Sequence, residues 1–396
     1  MSANPAESCE IAIAGGGMVG AALARALRGE RVARVSQGPV AACETAGFDA
    51  RVYALSPANA AFLADLGAWD AIPRERRTPV YAMRVFGDDG ASRIEFDAQR
   101  CGVAELAWIV EDSAVQAALG RGLQAQEGLT RHDSAPVVAL EVGERCAELQ
   151  LADGRHLAAR LVVGADGARS LVRARAGIAE DARGYGQTAV VANFACAKPH
   201  RNVALQWFQG RARAGAVLAL LPLPGDHVSM VWSASDAEAA RLLALPPEAL
   251  AREVAGAAGH ALGDLSLLAS ARGLALQRLA ARRIAAPRVA LAGDAAHVVH
   301  PLAGQGANLG LEDARVLASV LRAREPGRDP GDERLLRRYE RARAEAILAM
   351  RTTVHGLFRL FDAPGAGIGR LRNAGLNFAD CLPVFKNMLM RHAMGR

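Results

Sequence analysis

The chain has 396 residues, of which 51% are hydrophobic and 22% charged, and its formal net charge is +6. This composition is that of a folded globular protein and excludes an intrinsically disordered chain. The length is sufficient for two or three domains. The positive charge comes mainly from scattered arginines that often stand beside acids. We therefore expect no nucleic-acid partner, although a basic chain first suggests one.

The 6 cysteines form no C-x-x-C pair and have no histidine at zinc-finger spacing. This pattern predicts reduced thiols, a cytoplasmic location and no bound metal. The uncharged apolar stretches are shorter than the ~20 residues that span a membrane. Glu7 and Glu10 precede the first apolar run, where a signal peptide would carry basic residues.

The first motif begins at residues 10–14 (EIAIA), an apolar run that predicts a buried parallel strand. Gly15, Gly17 and Gly20 follow in the pattern G-x-G-x-x-G, before a predicted helix. In this context the glycines permit a tight turn, a close approach to a pyrophosphate and close packing of helix on strand. The alternative is a glycine-rich turn without a ligand.

A second strand is predicted at residues 31–35, and its end is the position where an acid usually binds the ribose of a dinucleotide. Ser36 stands there instead, followed by Gln37. A hydroxyl cannot accept two hydrogen bonds from a ribose diol as a carboxylate does. A change of Ser36 to Glu is therefore expected to tighten nucleotide binding.

Two further motifs place a turn after a buried strand. Residues 161–170 (LVVGADGARS) read as a strand, an Asp-Gly turn and a helix that Ser170 can cap. Residues 288–297 (RVALAGDAAH) read as a strand that ends in a Gly-Asp turn. The glycine-rich segment 300–313 then opens a helix that runs toward Leu321.

With these three motifs in order, the sequence resembles the single-component FAD-dependent aromatic hydroxylases, the p-hydroxybenzoate hydroxylase-like superfamily. Segments 48–56 (FDARVYALS), 185–187 (YGQ) and 300–310 (HPLAGQGANLG) are similar to its ubiquinone-biosynthesis branch, which hydroxylates polyprenylated phenols. The resemblance spans nearly the whole chain. It implies an FAD-dependent monooxygenase whose substrate is a polyprenylphenol.

The fold that this resemblance implies is α/β, with a Rossmann-like FAD-binding domain, an inserted α+β substrate domain with a mixed sheet, and a C-terminal helical segment. The expected boundaries are 1–78, 100–182 and 273–325 for the FAD-binding domain, 79–99 and 183–272 for the substrate domain, and 326–396 for the C-terminal helices. Trp207 and Phe208 are candidates for lining the substrate pocket, although core packing is the alternative for each.

The resemblance also implies a set of FAD-binding residues. These are Gly15, Gly17, Gly20, Ser36, Arg51, Asp112, Asp166, Arg169, Asp294, Pro301, Gly304, Gly306, Ala307 and Asn308. Asp294 would accept hydrogen bonds in the ribityl or pyrophosphate region, and Pro301 would lie beside the flavin ring. Backbone amides of residues 304–308, at a helix N-terminus, would stabilise negative charge on the reduced flavin.

Each of these assignments has a structural alternative. Asp294 is typical of a turn, and Arg51 is otherwise an ordinary surface arginine rather than a contact to the FAD phosphate. Asp166 and Arg169, which relatives use toward FAD and NAD(P)H, otherwise form a turn. Asp112 departs from the amide or arginine that relatives often carry, and the following S-x-x-Q predicts a capping box that begins the next helix at Ser113.

In this family reduced FAD reacts with O2 to form a C4a-hydroperoxide that hydroxylates the ring, so the cofactor carries the chemistry. No second G-x-G-x-x-G is present, so NAD(P)H would bind transiently or a protein would donate the electrons. His300 is the candidate catalytic residue, because a histidine can help to deprotonate a phenol. The alternative is that His297 and His300 only order the loop.

A long helix is predicted from Asp332, with apolar or small residues at steps of three and four from 335 to 361, and 364–369 (PGAGIG) breaks it. The basic amphipathic tail beyond it either packs on its own domain or contacts a membrane or a partner. A polyprenyl substrate favours contact with the inner membrane or with a ubiquinone-biosynthesis complex. Two other functions stay open: hydroxylation of another aromatic compound, and a non-catalytic subunit with weakened FAD binding.

Overall fold

The computed structural model describes residues 7–38, 47–89, 92–209, 216–300 and 305–362. In chain order, the strands of these ranges are β1 (Glu7–Ala14), β2 (Val32–Val35), β3 (Val52–Leu55), β4 (Arg77–Val80), β5 (Ala82–Phe86), β6 (Arg93–Asp97), β7 (Ala107–Glu111), β8 (Leu129–His132), β9 (Val137–Val142), β10 (Ala147–Leu151), β11 (His156–Gly164), β12 (Glu180–Cys196), β13 (Val203–Phe208), β14 (Val217–Leu223), β15 (His227–Ser235), β16 (Leu265–Leu267), β17 (Arg272–Ala281), β18 (Ala285–Ala286), β19 (Val289–Leu291) and β20 (His297–Val298). The helices are α1 (Met18–Ala26), α2 (Pro57–Asp65), α3 (Asp112–Gln124), α4 (Leu171–Arg175), α5 (Asp236–Leu243), α6 (Pro247–Ala257), α7 (Gln305–Arg322) and α8 (Glu333–Asp362).

The first sheet has the strand order β18-β19-β11-β1-β2-β8, and β9 and β10 extend it beside β11. Strands β19, β11, β1, β2 and β8 run parallel to one another, whereas β18 and β10 pair antiparallel with β19 and β11. Ile11 and Ile13 of β1 are fully buried, as expected for a central strand covered on both faces. The carboxyl ends of these parallel strands therefore meet at one edge, where ligands bind in open α/β sheets.

The second sheet has the order β20-β17-β12-β15-β14-β13-β5-β6. It is mixed, because β5 and β13 pair in parallel whereas the other neighbours along that order pair antiparallel. Its core is a separate cluster around the fully buried Trp232, covered by α5 and α6. Trp207 stacks on Phe86 at 5.3 Å between ring centroids, and Phe208 is buried among aliphatic side chains. Both aromatic residues thus contribute to packing in this sheet.

The two sheets meet where the Gly-Asp turn leads into β20. β19 belongs to the first sheet, and the chain turns at residues 293–295 before β20 pairs with β17 of the second. Asn193 of β12 also donates to the carbonyl of Asp49 at 2.9 Å. The predicted fold class, with a Rossmann-like sheet, an inserted mixed sheet and a C-terminal helical segment, is confirmed. The residue boundaries of the domains stay a prediction.

Two local predictions were wrong. Helix α3 begins at Asp112 rather than after Ser113, and the Gln116 amide donates to the Asp112 carboxylate at 2.8 Å, so no capping box forms. In α8 the predicted apolar stripe is out of phase at Ala342, which is exposed, whereas Arg343 is buried. Arg343 is buried because an acid on α7 pairs with it, which periodicity of apolar residues cannot reveal. The break at 364–369 and the basic tail lie outside the described residues.

Candidate active site

The glycine motif forms the turn between β1 and α1. Gly15 has a φ of 143°, and a Cβ there would lie 2.1 Å from the carbonyl oxygen of Ala165. A Cβ on Gly20 would lie 2.4 Å from the Gly15 carbonyl oxygen. These positions accept glycine alone, because the first motif and the Asp-Gly segment pack backbone against backbone.

Gly17 differs from its neighbours, because a Cβ at this position would meet no atom within 4 Å. It is the N-cap residue of α1, and no side chain caps that helix. The open space lies directly at the positive end of the helix dipole. The turn is therefore a cradle in which backbone amides can bind a phosphate, as the spacing of the glycines predicts.

The Asp-Gly motif joins β11 to α4. One oxygen of Asp166, Oδ2, accepts from the backbone amide of Leu171 at 2.8 Å, and Ser170 caps the helix by accepting from the amide of Arg173 at 3.0 Å. The predicted cap at Ser170 is confirmed. The other oxygen of Asp166, Oδ1, is buried and has no partner among the described residues. It is therefore available to a hydroxyl of a ligand, whereas Arg169 is exposed.

Arg173, which the sequence interpretation did not select, connects the two turns. Its guanidinium donates to the carbonyls of Ala168 at 2.7 Å and Ala295 at 2.8 Å, and it pairs with Glu180. The side chain is buried. The sequence offered no signal for it, because its contact with Ala295 joins segments that are far apart along the chain.

A buried ionic network supports the Gly-Asp turn. The carboxylate of Asp313, on α7, is fully buried and accepts from the amide of Gly293 at 2.9 Å, from His297 at 2.7 Å and from Arg343 at 2.7 Å. Burial by itself would raise the pKa of Asp313, but His297 and Arg343 hold it below its ordinary value. The network ties the turn to α7 and α8.

Three predicted FAD-binding side chains from distant segments meet in one cleft. Arg51 lies 3.8 Å from the carboxylate of Asp112, and its charge also acts on Asp294. Arg51 and Asp294 are open to solvent, although neighbouring protein atoms crowd around both, and we call this solvent-facing site the cleft. That crowding raises the pKa of Asp294, against the opposing charges of His297 and Arg51.

The residue beneath this cleft is Tyr53. Burial, together with the neighbouring Asp112 carboxylate, raises the pKa of Tyr53 well above its ordinary value, so the phenol stays protonated. The backbone of the same segment is held by Asp49, which accepts from the amides of Arg51 at 3.0 Å and Ser113 at 3.2 Å. Asp112 thus lies beside both Arg51 and Tyr53.

Asn308, on the first turn of α7, uses its side chain within the protein. Its carbonyl oxygen accepts from the amide of Ser56 at 2.8 Å, and its amide donates to the carbonyl of Ala54 at 2.8 Å. The side chain of Asn308 is thus engaged within the protein, and Gly306 and Ala307 before it are half-buried. Pro301 and Gly304 lie outside the described residues.

His300 lies at the boundary between the two sheets. It is 1% exposed, its Nε2 lies 3.1 Å from the side-chain oxygen of Gln187, and its ring meets that of Tyr185 edge-on at 4.8 Å. Burial lowers the pKa of His300 to about 4, so the imidazole is neutral at neutral pH. A neutral imidazole can orient or accept a proton, but it supplies no positive charge.

These features fit FAD. The cradle at Gly17 suits a diphosphate, the unpartnered oxygen of Asp166 suits a hydroxyl, and the cleft holds Arg51 beside an acid at the end of β19. In the same described ranges, no group of three His, Cys, Asp or Glu side chains is placed to hold a metal ion.

Comparison with known proteins agrees with this geometry. Residues 8–353 match the family described as FAD binding domain. The ubiquinone hydroxylase UbiL of Rhodospirillum rubrum is 36% identical, over 98% of this chain and 89% of that protein. The chain belongs to the FAD-dependent aromatic hydroxylases, in their ubiquinone-biosynthesis branch. It is an FAD-dependent monooxygenase, as its motifs predict.

Two further relatives of this family extend the comparison. The 3-demethoxyubiquinol 3-hydroxylase of Escherichia coli is 33% identical, over 98% of each chain. The crystal structure of Pseudomonas aeruginosa PqsL in complex with 2-aminobenzoylacetate has 26% sequence identity and a TM-score of 0.75, covering 93% of this chain and 99% of that one. Within the described part of this hydroxylase, no helix has the length and apolar character needed to cross a bilayer.

Proposed function

We propose that this chain inserts one oxygen atom of O2 into the aromatic ring of a polyprenylated phenol in ubiquinone biosynthesis. The observation that carries the proposal is the cleft where Arg51, Asp112 and Asp294 meet, at the junction of the two sheets. The names of the relatives support the substrate class, since both sequence relatives described above are ubiquinone or demethoxyubiquinol hydroxylases.

Each part of the site has a role toward the cofactor. The amides at Gly17 and the guanidinium of Arg51 would hold the diphosphate, and Asp166 and Asp294 would accept from hydroxyls. The first-turn amides of α7 would face the negative charge of the reduced ring. Bound FAD supplies oxygen activation and hydroxyl transfer, and NAD(P)H or a protein donor supplies the electrons.

Toward the substrate, the protein must orient the ring and exclude water. The second sheet lies beside the Gly-Asp turn and can cover the cleft, because β20 and β17 pair directly. His300, neutral and fixed by Gln187, is a positioning residue for the adjoining loop, and a proton acceptor where a phenol reaches it. No acid–base dyad is required of the chain.

Two alternative functions keep specific support. Hydroxylation of another aromatic compound is supported by the structural likeness to PqsL, which was crystallised with 2-aminobenzoylacetate. A non-catalytic subunit is supported by Ser36 and Asp112, where this chain departs from the expected residues. Absorbance of the purified protein decides the second alternative, because a protein that shows no flavin bands after FAD is added cannot be the enzyme.

The substrate is tested by deleting the gene and identifying the compound that accumulates by mass spectrometry. We expect a prenylated phenol that lacks one ring hydroxyl, and we expect the purified holoenzyme to hydroxylate it with NAD(P)H and O2. Turnover of a small phenolic acid without turnover of any prenylated phenol would instead establish the first alternative. A reductase requirement in place of NAD(P)H would identify a protein donor.

A further inference from the structure

Ser36 stands at the end of β2, at the position of the acid that usually binds the adenosine ribose. Its side chain is 3% exposed, and a Cβ on Gly16 would lie 2.7 Å from the Ser36 Cβ. The residue is therefore directly against the glycine turn. Ser36 therefore occupies the position of the usual acid at the nucleotide site, and no shift in the register of β2 has moved an acid away from it.

A carboxylate from the neighbouring strand occupies the space beside it. Oδ1 of Asp133, the first residue after β8, lies 3.0 Å from the Ser36 hydroxyl. The backbone fixes this approach, because the amide of Ser36 donates to His132 at 3.0 Å and the amide of Ala135 donates to Ser36 at 3.1 Å. Ser134 between them takes a φ of 63°, a conformation that few residues other than glycine adopt.

Basic side chains hold this carboxylate in place. Arg34 is fully buried on β2, donates to the carbonyl of Gly16 at 3.0 Å and lies 3.5 Å from Asp133 Oδ1. Arg131 lies 3.3 Å from Oδ2. The same arginine thus contacts the glycine turn and the acid, which couples their positions.

Asp133 keeps capacity to bind a ligand. A carboxylate offers about four acceptor sites on its two oxygens, and its side chain is 22% exposed despite these three neighbours. The Ser36 hydroxyl has a single hydrogen for two acceptors, Asp133 Oδ1 and the carbonyl of Gly38 at 2.7 Å. The hydroxyl can therefore turn to Gly38 and leave Oδ1 to another donor.

We infer that Asp133 binds the adenosine ribose of FAD in this chain, in place of an acid at position 36. The inference rests on the proposed FAD-dependent function. The ribose contact then comes from the end of the adjacent strand, β8. The carboxylate of Asp133 accepts from both ribose hydroxyls, and the small side chain of Ser36 does not block it. It also reverses the expectation for Ser36→Glu, because the new carboxylate would stand against Asp133 and be repelled.

The test measures dissociation constants of flavin-stripped protein for FAD and for FAD analogues that lack the 2′ or the 3′ hydroxyl of the adenosine ribose. We expect Asp133→Asn to weaken FAD binding by about tenfold, as loss of a charged hydrogen bond does. We expect wild type to lose a similar factor with at least one analogue, and Asp133→Asn to lose much less with that analogue. Ser36→Glu should not tighten FAD, whereas Ser36→Glu with Asp133→Asn should recover most of the loss.

Asp70→Asn is the matched control, because Asp70 is 89% exposed and pairs at 3.9 Å with Arg77 of β4, which belongs to a different sheet from β2 and β8. Its FAD affinity should equal that of wild type. The modified ligands separate recognition from folding, since they leave the protein unchanged. Equal losses with the analogues in wild type and Asp133→Asn would show that Asp133 only neutralises Arg34. Wild type that binds no FAD would overturn both this inference and the proposed function, whereas tight binding with no dependence on Asp133 would overturn the inference alone.

Discussion

The two ends of the nucleotide cleft are built in different ways. The flavin end, comprising the Gly-Asp turn at 293–295, β20 and the start of α7, keeps the family motif and rests on the buried carboxylate of Asp313. The adenosine end, comprising Ser36 and the turn at 133–135, lacks the motif acid and has a partly exposed carboxylate from the neighbouring strand.

This difference shows how the two ends can change in sequence. Three donors surround Asp313 without solvent, so a change that breaks its ion pair with Arg343 leaves buried charges with fewer partners and no water to replace them. Asp133 is 22% exposed, so water can replace part of its interactions when the residues around it change. At the adenosine end, the acid that binds the ribose can therefore lie on either of two neighbouring strands. At the flavin end, the buried network requires the same residues at the same positions.

The largest effect is expected from Asp313→Asn, which removes the negative charge from the flavin end. The buried Arg343 then loses its ion pair at 2.7 Å and keeps the longer one with Glu312 at 3.9 Å, so the free energy of unfolding should fall by about 3 kcal/mol. Urea unfolding of the flavin-free protein measures this change. Arg337→Met is the control, because Arg337 pairs with Glu333 on the exposed face of α8 at 2.7 Å. That variant should lose about 0.5 kcal/mol at most. Equal decreases in the free energy of unfolding for the two variants would show that the buried ion pair stabilises the fold no more than the exposed one.

Two glycines of the turn between the two ends are expected to differ, one affecting the stability of the fold and the other the binding of FAD. Gly15→Ala should lower the free energy of unfolding by about 3 kcal/mol, because the φ of 143° and the Ala165 carbonyl both exclude a side chain. Gly17→Ala should leave the flavin-free protein within about 0.5 kcal/mol of wild type, yet weaken FAD binding. Thermal unfolding without flavin and an FAD titration give the two numbers. Strong destabilisation by Gly17→Ala would mean that the open space is absent.

The buried His300 makes the flavin end sensitive to acid. Its pKa is about 4 in the folded chain and ordinarily 6.5, so the unfolded chain takes up a proton first as the pH falls. The contribution of neutral His300 to the free energy of unfolding is fully present above pH 6.5 and is lost as the pH falls toward 4. The loss is about 2 kcal/mol at pH 5. Urea unfolding above pH 6.5 and at pH 5 should show that the free energy of unfolding falls less in His300→Gln than in wild type. His156→Gln, at an exposed position on β11, should retain the wild-type decline. An unchanged pH dependence in His300→Gln would contradict the neutral, buried state.

The smallest effect concerns the Asp-Gly segment, where a single cap starts α4. Ser170→Ala removes the hydroxyl that accepts from the amide of Arg173, and should cost about 1 kcal/mol. Ser170→Asp retains an acceptor and should restore most of that stability. FAD affinity should change little in either variant if Asp166 keeps its position, and a loss of affinity as large as that of Gly17→Ala would show that the cap sets the site.

The sequence predicted those parts of the fold and site that depend on local geometry. The glycines at 15, 17 and 20 follow from the turn they must form, and each has the surroundings that the motif requires. The strands and helices around Asp166 and Asp294 were likewise predicted from short apolar runs and turn residues. The cap at Ser170 was found because it depends on a residue three positions away.

The contacts between distant segments were not predictable in this way. Arg173, Asp313 and Arg343 are buried charges whose partners lie far away along the chain, and a single sequence gives no register for them. The capping box at Ser113 did not form because both partners bind elsewhere: the Ser113 amide donates to Asp49, and the Gln116 side chain donates to Asp112. Asp133 was not predicted, because the motif places the ribose-binding acid at the end of β2. Only the pairing of β2 with β8 brings Asp133 to Ser36.

Isotope incorporation tests directly whether this chain is an FAD-dependent hydroxylase of a prenylated phenol. Purified holoenzyme is given NAD(P)H or a reductase, a prenylated phenol and isotopically labelled O2, and the product is analysed by mass spectrometry. We expect a product with one added oxygen atom that carries the label. A product whose added oxygen comes from water, or oxidation of the electron donor without any hydroxylated phenol, would contradict this function.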